Sequence, residues 1–449
     1  MTINRYFTLF LAAAATLGAG CKKYLVQTPN NSLSNSSAIV DAGTANAAIV
    51  GAYSSLSSAN YYGTYYPTLG MMPADNVIFN GTLSQYLQLD QNAIPPDNAA
   101  TVAVYQQIYK TINSVNSVIA YVPGVKDPTL TATQKNTIVG EAYFLRALGY
   151  FDLGRGWGGV QLQLKPTTDL SSIKGVSRSS LADTYIQVQS DLIQAEQLLP
   201  DDASTRNRAQ KSAARALHAR LDLYRQNWDS AEYYATEVIN NTKYALVTPY
   251  SKFFTSPFGS TESVLELTYT NSSKNSFWNL WYPSTLGGQY TLKPSASIIA
   301  KLNDPNAGGT RKALITGTGA SVYGVLYNTS TTSTDPAYVI RIAELYLIRA
   351  EARAQKNDLS GALADLNTIR TRAGVPASAA TTQTDILQAI EDENSVEFAF
   401  EAHRWFDLVR TKRAGAILGL TNTDYWLFPL PLSDVLSDPD LSGKNNPGY

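Results

Sequence analysis

Two clusters of aromatic residues carry the most legible chemistry in this 449-residue chain. The first crowds Tyr61, Tyr62, Tyr65 and Tyr66 into one short stretch, followed by Asp75, Asn76 and Tyr86. The second gathers Phe277, Trp278, Trp281, Tyr282 and Tyr290. Flat rings stack against the apolar face of a pyranose, while a carboxylate and an amide accept and donate hydrogen bonds to its hydroxyls. That chemistry is reversible capture, and its candidate residues are Tyr65, Tyr66, Asp75, Asn76, Tyr86, Trp278, Trp281, Tyr282 and Tyr290. The competing use of the same rings is to pack their segments onto a scaffold, and the sequence leaves both open.

Covalent chemistry finds little support. Cys21 is the only cysteine, and with two histidines the chain offers neither a disulfide nor a dedicated transition-metal site. Gly154, Gly156 and Gly159 have dinucleotide-fingerprint spacing, but they follow a helical pattern where that motif requires a strand. No nucleophile-elbow serine, Walker lysine or zincin histidine pair is present. Asp438, Asp440, Ser442 and Gly443 imitate half of a calcium loop, with Tyr449 in place of the bidentate glutamate. A glycosidase would need two acids about 5 to 9 Å apart. The richest acidic run, Glu391, Asp392 and Glu393, reads as the start of a helix, where the backbone dipole favours negative charge. No metal and no cofactor is expected. A net charge of −1 provides no basic field for nucleic acid.

The elements that must position these residues read as helices. Amphipathic periodicity runs over Asp41–Ser57, Asn98–Tyr121, Thr133–Leu153 and Leu181–Leu199, with Pro123 and Pro200 as stops. Ala219–Ala231 and Ala350–Ala362 superpose as sequences, each with a polar break, at Gln226-Asn227 and Asn357-Asp358. They resemble the helix-turn-helix of a tetratricopeptide repeat. A last pair, Asp385–Ala399 and Glu401–Leu418, completes the set. The expected fold is mainly α: about four helix pairs in a tetratricopeptide-like scaffold with minor β. Two long irregular insertions, about 58–97 and 242–336, carry the aromatic clusters.

At the N-terminus, Arg5 and the apolar run Phe7–Leu17 have the layout of a secretory signal too short to span a bilayer. Gly18, Ala19 and Gly20 before Cys21 resemble the lipobox of bacterial lipoproteins, although an aliphatic residue is usual where Gly18 stands. Residues 1–20 are then a signal peptide, Cys21 is the lipidation site, and 21–449 is one domain.

Four separated stretches add a family resemblance: EAYFLRALGYFDLGRGWGGVQL (Glu141 to Leu162), the 36-residue run Arg341 to Pro376, EDENSVEFAFEAHRWFDLVR (Glu391 to Arg410), and the tail Tyr425 to Tyr449. With the start CKKYLVQTP they resemble the SusD/RagB family of outer-membrane nutrient-binding lipoproteins. Departures are Gly159-Val160-Gln161 for the family's Asp-Val-Pro, Glu393-Asn394 for Glu-Arg, and Ala402 for glycine. The resemblance implies four tetratricopeptide-like units whose loops form a shallow site, drawn in family members from these same two regions. It also implies a lipid-anchored, surface-facing protein that captures oligosaccharides and delivers them to a partner SusC-like TonB-dependent transporter without catalysis. A surface glycosidase and a protein-binding scaffold without glycan affinity are the alternatives. The motif charges Glu141, Arg146, Glu344, Arg349, Glu401, Arg404 and Asp407 stand at helical spacings and are read as structural pairs. His403 reads as a packed or capping side chain.

Overall fold

The computed structural model describes residues 38–167, 175–203, 205–255 and 258–449; the expected signal segment 1–20 and Cys21 lie outside the described residues. The long helices among the described residues are α1 (Ala42–Leu56), α2 (Ala99–Tyr121), α3 (Ala132–Trp157), α4 (Leu181–Leu198), α5 (Lys211–Tyr224), α6 (Trp228–Ile239), α7 (Ile342–Gln355), α8 (Leu359–Arg372) and α9 (Gln383–Glu397). Their starts follow capping chemistry: Asp41 with Thr44 and Thr131 with Gln134 form reciprocal capping boxes, and Asn98 and Ser180 accept from backbone N–H groups. Each helix packs on its neighbour in the chain through α4, and α5–α6 and α7–α8 form hairpins joined by contact of α6 with α7.

The two superposable segments fold alike. Ala219, Ala231, Ala350 and Ala362 are fully buried, so their hairpins close through small side chains. Gln226 and Asn357 both take positive φ, 57° and 64°. The following amides of Asn227 and Asp358 each donate 2.9 Å back to the carbonyl five residues earlier, at Asp222 and Arg353. The polar break is thus the left-handed closure of each first helix.

The structure departs from three expectations. The last helical pair holds only in its first member: beyond α9 the chain forms two short helices, Arg404–Arg410 and Ala414–Leu418, divided where Lys412 takes a positive φ of 59°. Glu391, Asp392 and Glu393 lie deep within α9, not at its start. Gly154 and Gly156 belong to α3, which runs to Trp157 and closes at Gly158 (φ 79°), so the turn comes later than the glycine pattern implied.

The insertions contain short regular elements. The strands are β1 (Val77–Phe79), β2 (Ser263–Leu267), β3 (Leu292–Pro294), β4 (Ile315–Thr316), β5 (Tyr323–Gly324) and β6 (Ala337–Arg341), paired antiparallel as β1–β3, β2–β6 and β4–β5. The β1–β3 pair joins the two insertions, with Ile78 opposite Lys293 and Phe79 opposite Leu292. The β2–β6 pair returns the second insertion to α7, and every residue of both strands is buried.

Candidate functional site

The first aromatic cluster divides by depth. Tyr61, Tyr62 and Tyr66 are buried, and their hydroxyls donate to the carboxylate of Asp152 at 2.7, 2.9 and 2.5 Å. Arg155, one turn along α3, donates to the same carboxylate at 2.9 Å and to the Tyr66 hydroxyl at 2.7 Å. Burial and the adjoining Asp152 charge hold the Tyr61 and Tyr62 phenols well above their ordinary range, so they remain donors. Tyr66 therefore has no free face for a ligand. Tyr65, its neighbour, is half-buried and turns the other way, with its ring centroid 6.1 Å from that of Tyr86. Tyr86 is buried, and its phenol is raised by that burial and by the hydrogen bond it shares with Tyr65.

Backbone bonds hold the second insertion against this ring pair. Asn80 donates from its amide to the Thr291 carbonyl at 2.9 Å and from its side chain to the Tyr290 carbonyl at 2.8 Å. The Ser295 amide donates 2.9 Å to the Asn76 carbonyl. Where the insertions meet they enclose a cleft of about 420 Å³. Ala59, Asn60, Thr64, Tyr65 and Tyr86 form one wall; Ser276, Asn279, Leu280 and Gln289 form the other. No charged side chain among the described residues lines it. Asn60, Ser276 and Gln289 are exposed at the opening, and Asn279 is half-buried, donating 3.3 Å to the Gly287 carbonyl. This is a ring edge beside amides and hydroxyls, able both to donate to and to accept from a polyhydroxylated ligand.

The second cluster also divides. Trp281 is buried against Phe400 (4.8 Å between centroids) and over Gly324, where a Cβ would come within 2.7 Å of the indole. The missing side chain of Gly324 is therefore the space that Trp281 occupies. Trp278 is half-buried; its indole N–H donates to Ser333 Oγ at 2.8 Å, and its ring meets Tyr282 edge-on at 5.5 Å. Tyr282 in turn meets Tyr323 at 4.9 Å, and burial pushes its phenol up to about 12. Tyr290 takes a positive φ of 50° and donates to the carbonyls of Val322 (2.8 Å) and Ala320 (3.1 Å). Trp278, Tyr282 and Tyr290 are thus half-buried rings outside the cleft lining, while Trp281 is core.

Asp75 and Asn76 bind the first insertion to the scaffold. Asp75 accepts from Arg404 at 2.6 and 3.1 Å; burial would raise its carboxyl, but the Arg404 hydrogen bonds and charge carry it below the usual range. Asn76 is buried and donates 2.8 Å to the Ser395 carbonyl of α9. Of the nine candidate residues, the structure brings Tyr65 and Tyr86 together in the cleft. The polar residues that complete it, Asn60, Thr64, Ser276, Asn279 and Gln289, form no cluster in the sequence. Their only signal there is adjacency: Asn279 follows Trp278 and Gln289 precedes Tyr290.

The motif charges are structural, but they pair between elements rather than along one helix. Glu141 meets Arg208, Arg146 meets Asp191, Glu344 meets Arg220 and Arg349 meets Asp365. Of these motif residues, Asp407 alone pairs within its own helix, with Arg410 at 2.9 Å. Arg341 sits fully buried among Glu262 (2.5 Å), Glu397 (3.0 Å) and Glu401 (2.6 Å). His403 is packed against Phe398, with ring centroids 4.3 Å apart, and burial holds its imidazole well below the usual range.

A helical-repeat scaffold carrying two stitched insertions is the class that this fold and cleft define. Comparison with known proteins agrees along the chain: the model of the SusD family matches residues 289–422, and one described as "Starch-binding associating with outer membrane" matches residues 23–223. SusD-like protein P2 of Formosa agariphila is 25% identical, with 100% of both chains covered, and SusD-like protein P38 of the same organism is 24% identical over 94% of each. Among solved structures, a laminarin binding SusD-like protein superposes with a TM-score of 0.80 at 22% identity, covering 92% of this chain and 100% of that one. A SusD superfamily protein from Bacteroides thetaiotaomicron gives 0.80 at 24% identity, covering 91% and 100%. The chain belongs to the SusD/RagB family.

Proposed function

We propose that this protein captures uncharged oligosaccharides in the cleft between its two insertions and releases them unchanged to a SusC-like TonB-dependent transporter. The observation that carries the reading is the cleft lining: Tyr65 and Tyr86 beside Asn60, Ser276, Asn279 and Gln289, with no cation among the described residues to recruit a uronate or sulfate. Trp278, Tyr282 and Tyr290 extend the aromatic surface of the second insertion for longer chains. The laminarin binding named for one structural neighbour is in keeping with a glycan ligand. Among the described residues no carboxylate lines the cleft, so the glycosidase alternative finds no acid pair there. Residues 21–449 act as one domain held at the outer membrane through lipidated Cys21. No helix among the described residues is long and apolar enough to cross a membrane.

Calorimetry against matched neutral and uronate-containing oligosaccharides tests the proposal. Neutral chains bind, and Tyr65→Ala and Asn279→Ala each weaken binding by about tenfold, near 1.4 kcal/mol. Selective binding of the uronate chains, or unchanged affinity in both variants, overturns it. Release of reducing ends by the purified protein overturns the non-enzymatic part.

A further inference from the structure

A second cleft, of about 410 Å³, lies elsewhere on the scaffold and shares no lining residue with the first. One wall is a single face of α2: Tyr105, Tyr109 and Asn113 succeed one another at intervals of four. The opposing wall comes from Gln163, in the segment after α3, and from Asp434 and Asp438 of the C-terminal tail, the region whose spacing imitates half of a calcium loop.

The hydrogen-bond state of these groups indicates what they can still do. Tyr109 already donates its hydroxyl to the Gln161 carbonyl at 2.8 Å, so it offers the cleft its ring. Asn113 spends its side-chain oxygen on the Thr167 amide at 2.8 Å, which leaves its NH₂ as a donor. Gln163 uses its backbone carbonyl, accepting from Asn116 and Tyr150 at 2.8 Å each, and its side chain is half-buried at the cleft.

The carboxylates are the decisive feature. Glu141, Asp191, Glu344, Asp365 and Asp75 all meet arginine where the fold buries them. Glu266 and Asp335 do not, but backbone amides of their own loops claim both. Asp434 is held by the Ser433 hydroxyl at 2.9 Å and by Gln106, and Asp438 by the Gln161 amide at 2.8 Å and the Asp440 backbone amide at 2.9 Å. No ion pair to either is formed among the described residues. Burial and the neighbouring Asp438 charge raise the Asp434 carboxyl. Two half-buried acids with no counter-ion among the described residues, set beside a ring and the Asn113 and Gln163 amides, can accept further hydrogen bonds from hydroxyl donors, and they repel anions.

We infer that this cleft is a second carbohydrate site, taking one uncharged sugar ring on Tyr109 with its hydroxyls bonded by Gln163, Asn113 and Asp434. Two sites on one body hold a long glycan at two points, or two chains at once, and raise avidity without new contacts in either cleft.

The test disables the first cleft with Tyr65→Ala/Asn279→Ala and titrates the full mature protein with maltohexaose, laminarihexaose and cellohexaose at up to millimolar concentration. Binding of one hexasaccharide per chain persists, and adding Gln163→Ala or Asp434→Asn, each with an unchanged melting temperature, weakens it by about tenfold. Asn for Asp434 keeps the shape and removes the charge. Complete loss of binding in the first-cleft variant overturns the second site and leaves the first reading standing. Residual binding indifferent to both Gln163→Ala and Asp434→Asn also overturns it, and a wild-type protein that binds none of the three sugars overturns both.

Discussion

Asp152 is the residue on which the placement of the first insertion depends, and its replacement has a graded outcome. Its two oxygens receive Tyr61, Tyr62, Tyr66 and Arg155, all within 2.5 to 2.9 Å, and the side chain is fully buried. Tyr62→Phe removes one donor to a charged acceptor, an interaction of about 1.5–3 kcal/mol. The same oxygen keeps Tyr61 at 2.7 Å, so about 1.5 kcal/mol, the lower end, is expected. Asp152→Asn goes further: it strips the counter-charge from Arg155, a residue only 6% exposed. Removing one partner of a buried pair costs about 3–5 kcal/mol. Arg155 retains the Tyr66 hydroxyl and the face of Phe406, 4.3 Å from its guanidinium carbon, so about 3 kcal/mol is expected. Because Tyr65 sits between anchored residues and lines the cleft, loosening the anchors displaces it. Glycan affinity of the folded variant then falls about fivefold, or about 1 kcal/mol. Urea unfolding and calorimetry on Tyr62→Phe and Asp152→Asn read the two quantities separately. Equal, small stability losses in both variants refute the hub; a large loss in Asp152→Asn with unchanged affinity refutes the link from hub to cleft.

Two further outcomes follow from buried side chains. His218 is stacked on Tyr234 at 3.9 Å, and burial depresses its imidazole from 6.5 to about 4. The unfolded chain therefore binds the proton first: this contribution to stability is complete above pH 6.5 and is lost as pH falls toward about 4, a total of about 3 kcal/mol. Urea midpoints on either side of that window should converge in His218→Gln, and an equally steep acid limb in the variant counts against the assignment. Trp281→Ala empties the space beside Gly324 and Phe400 and destabilises by about 3–5 kcal/mol, whereas half-buried Trp278→Ala costs less than half as much in the same melts. The reverse order would show that the depth assigned to the two rings is wrong.

The helical scaffold was legible because periodicity and breaks are local. Gln226-Asn227 and Asn357-Asp358 mark helix closures that need only the backbone of their own hairpin. The break within 401–418 was not legible. Trp405, Leu408 and Val409 stand at i, i+3 and i+4, and so do Ala414, Ile417 and Leu418, so both trios suit one helix or two. What divides them is the positive φ of Lys412, after which the Arg413 amide donates 2.8 Å back to the Leu408 carbonyl. That closure repeats the geometry of the two hairpins, but its polar run, Arg410-Thr411-Lys412-Arg413, is rich in good helix formers that suit an exposed helical turn equally well, so it does not announce a break. The ring clusters were legible as clusters but not by depth. Tyr65 and Tyr66 open the same short helix, so their side chains leave it about 100° apart. One of them had to face the scaffold, and only the position of Asp152, far along the chain on α3, decides which.

Buried charge fixes the insertions in a way that spacing along one helix could not reveal. Glutamates and arginines three or four apart suggest pairs along a helix, each contributing about 0.2–0.5 kcal/mol at a surface. These side chains are buried, and a buried guanidinium requires a carboxylate wherever the fold can supply one. Arg341 finds Glu262 at the base of the second insertion, and Arg404 finds Asp75 at the base of the first. The insertions are therefore fixed to the scaffold by charge at their roots and to each other by β1–β3, while the described residues of the cleft lining carry no charge. Such a division lets Asn60, Tyr65, Asn279 and Gln289 be exchanged for a different sugar without disturbing an ion pair that holds the fold.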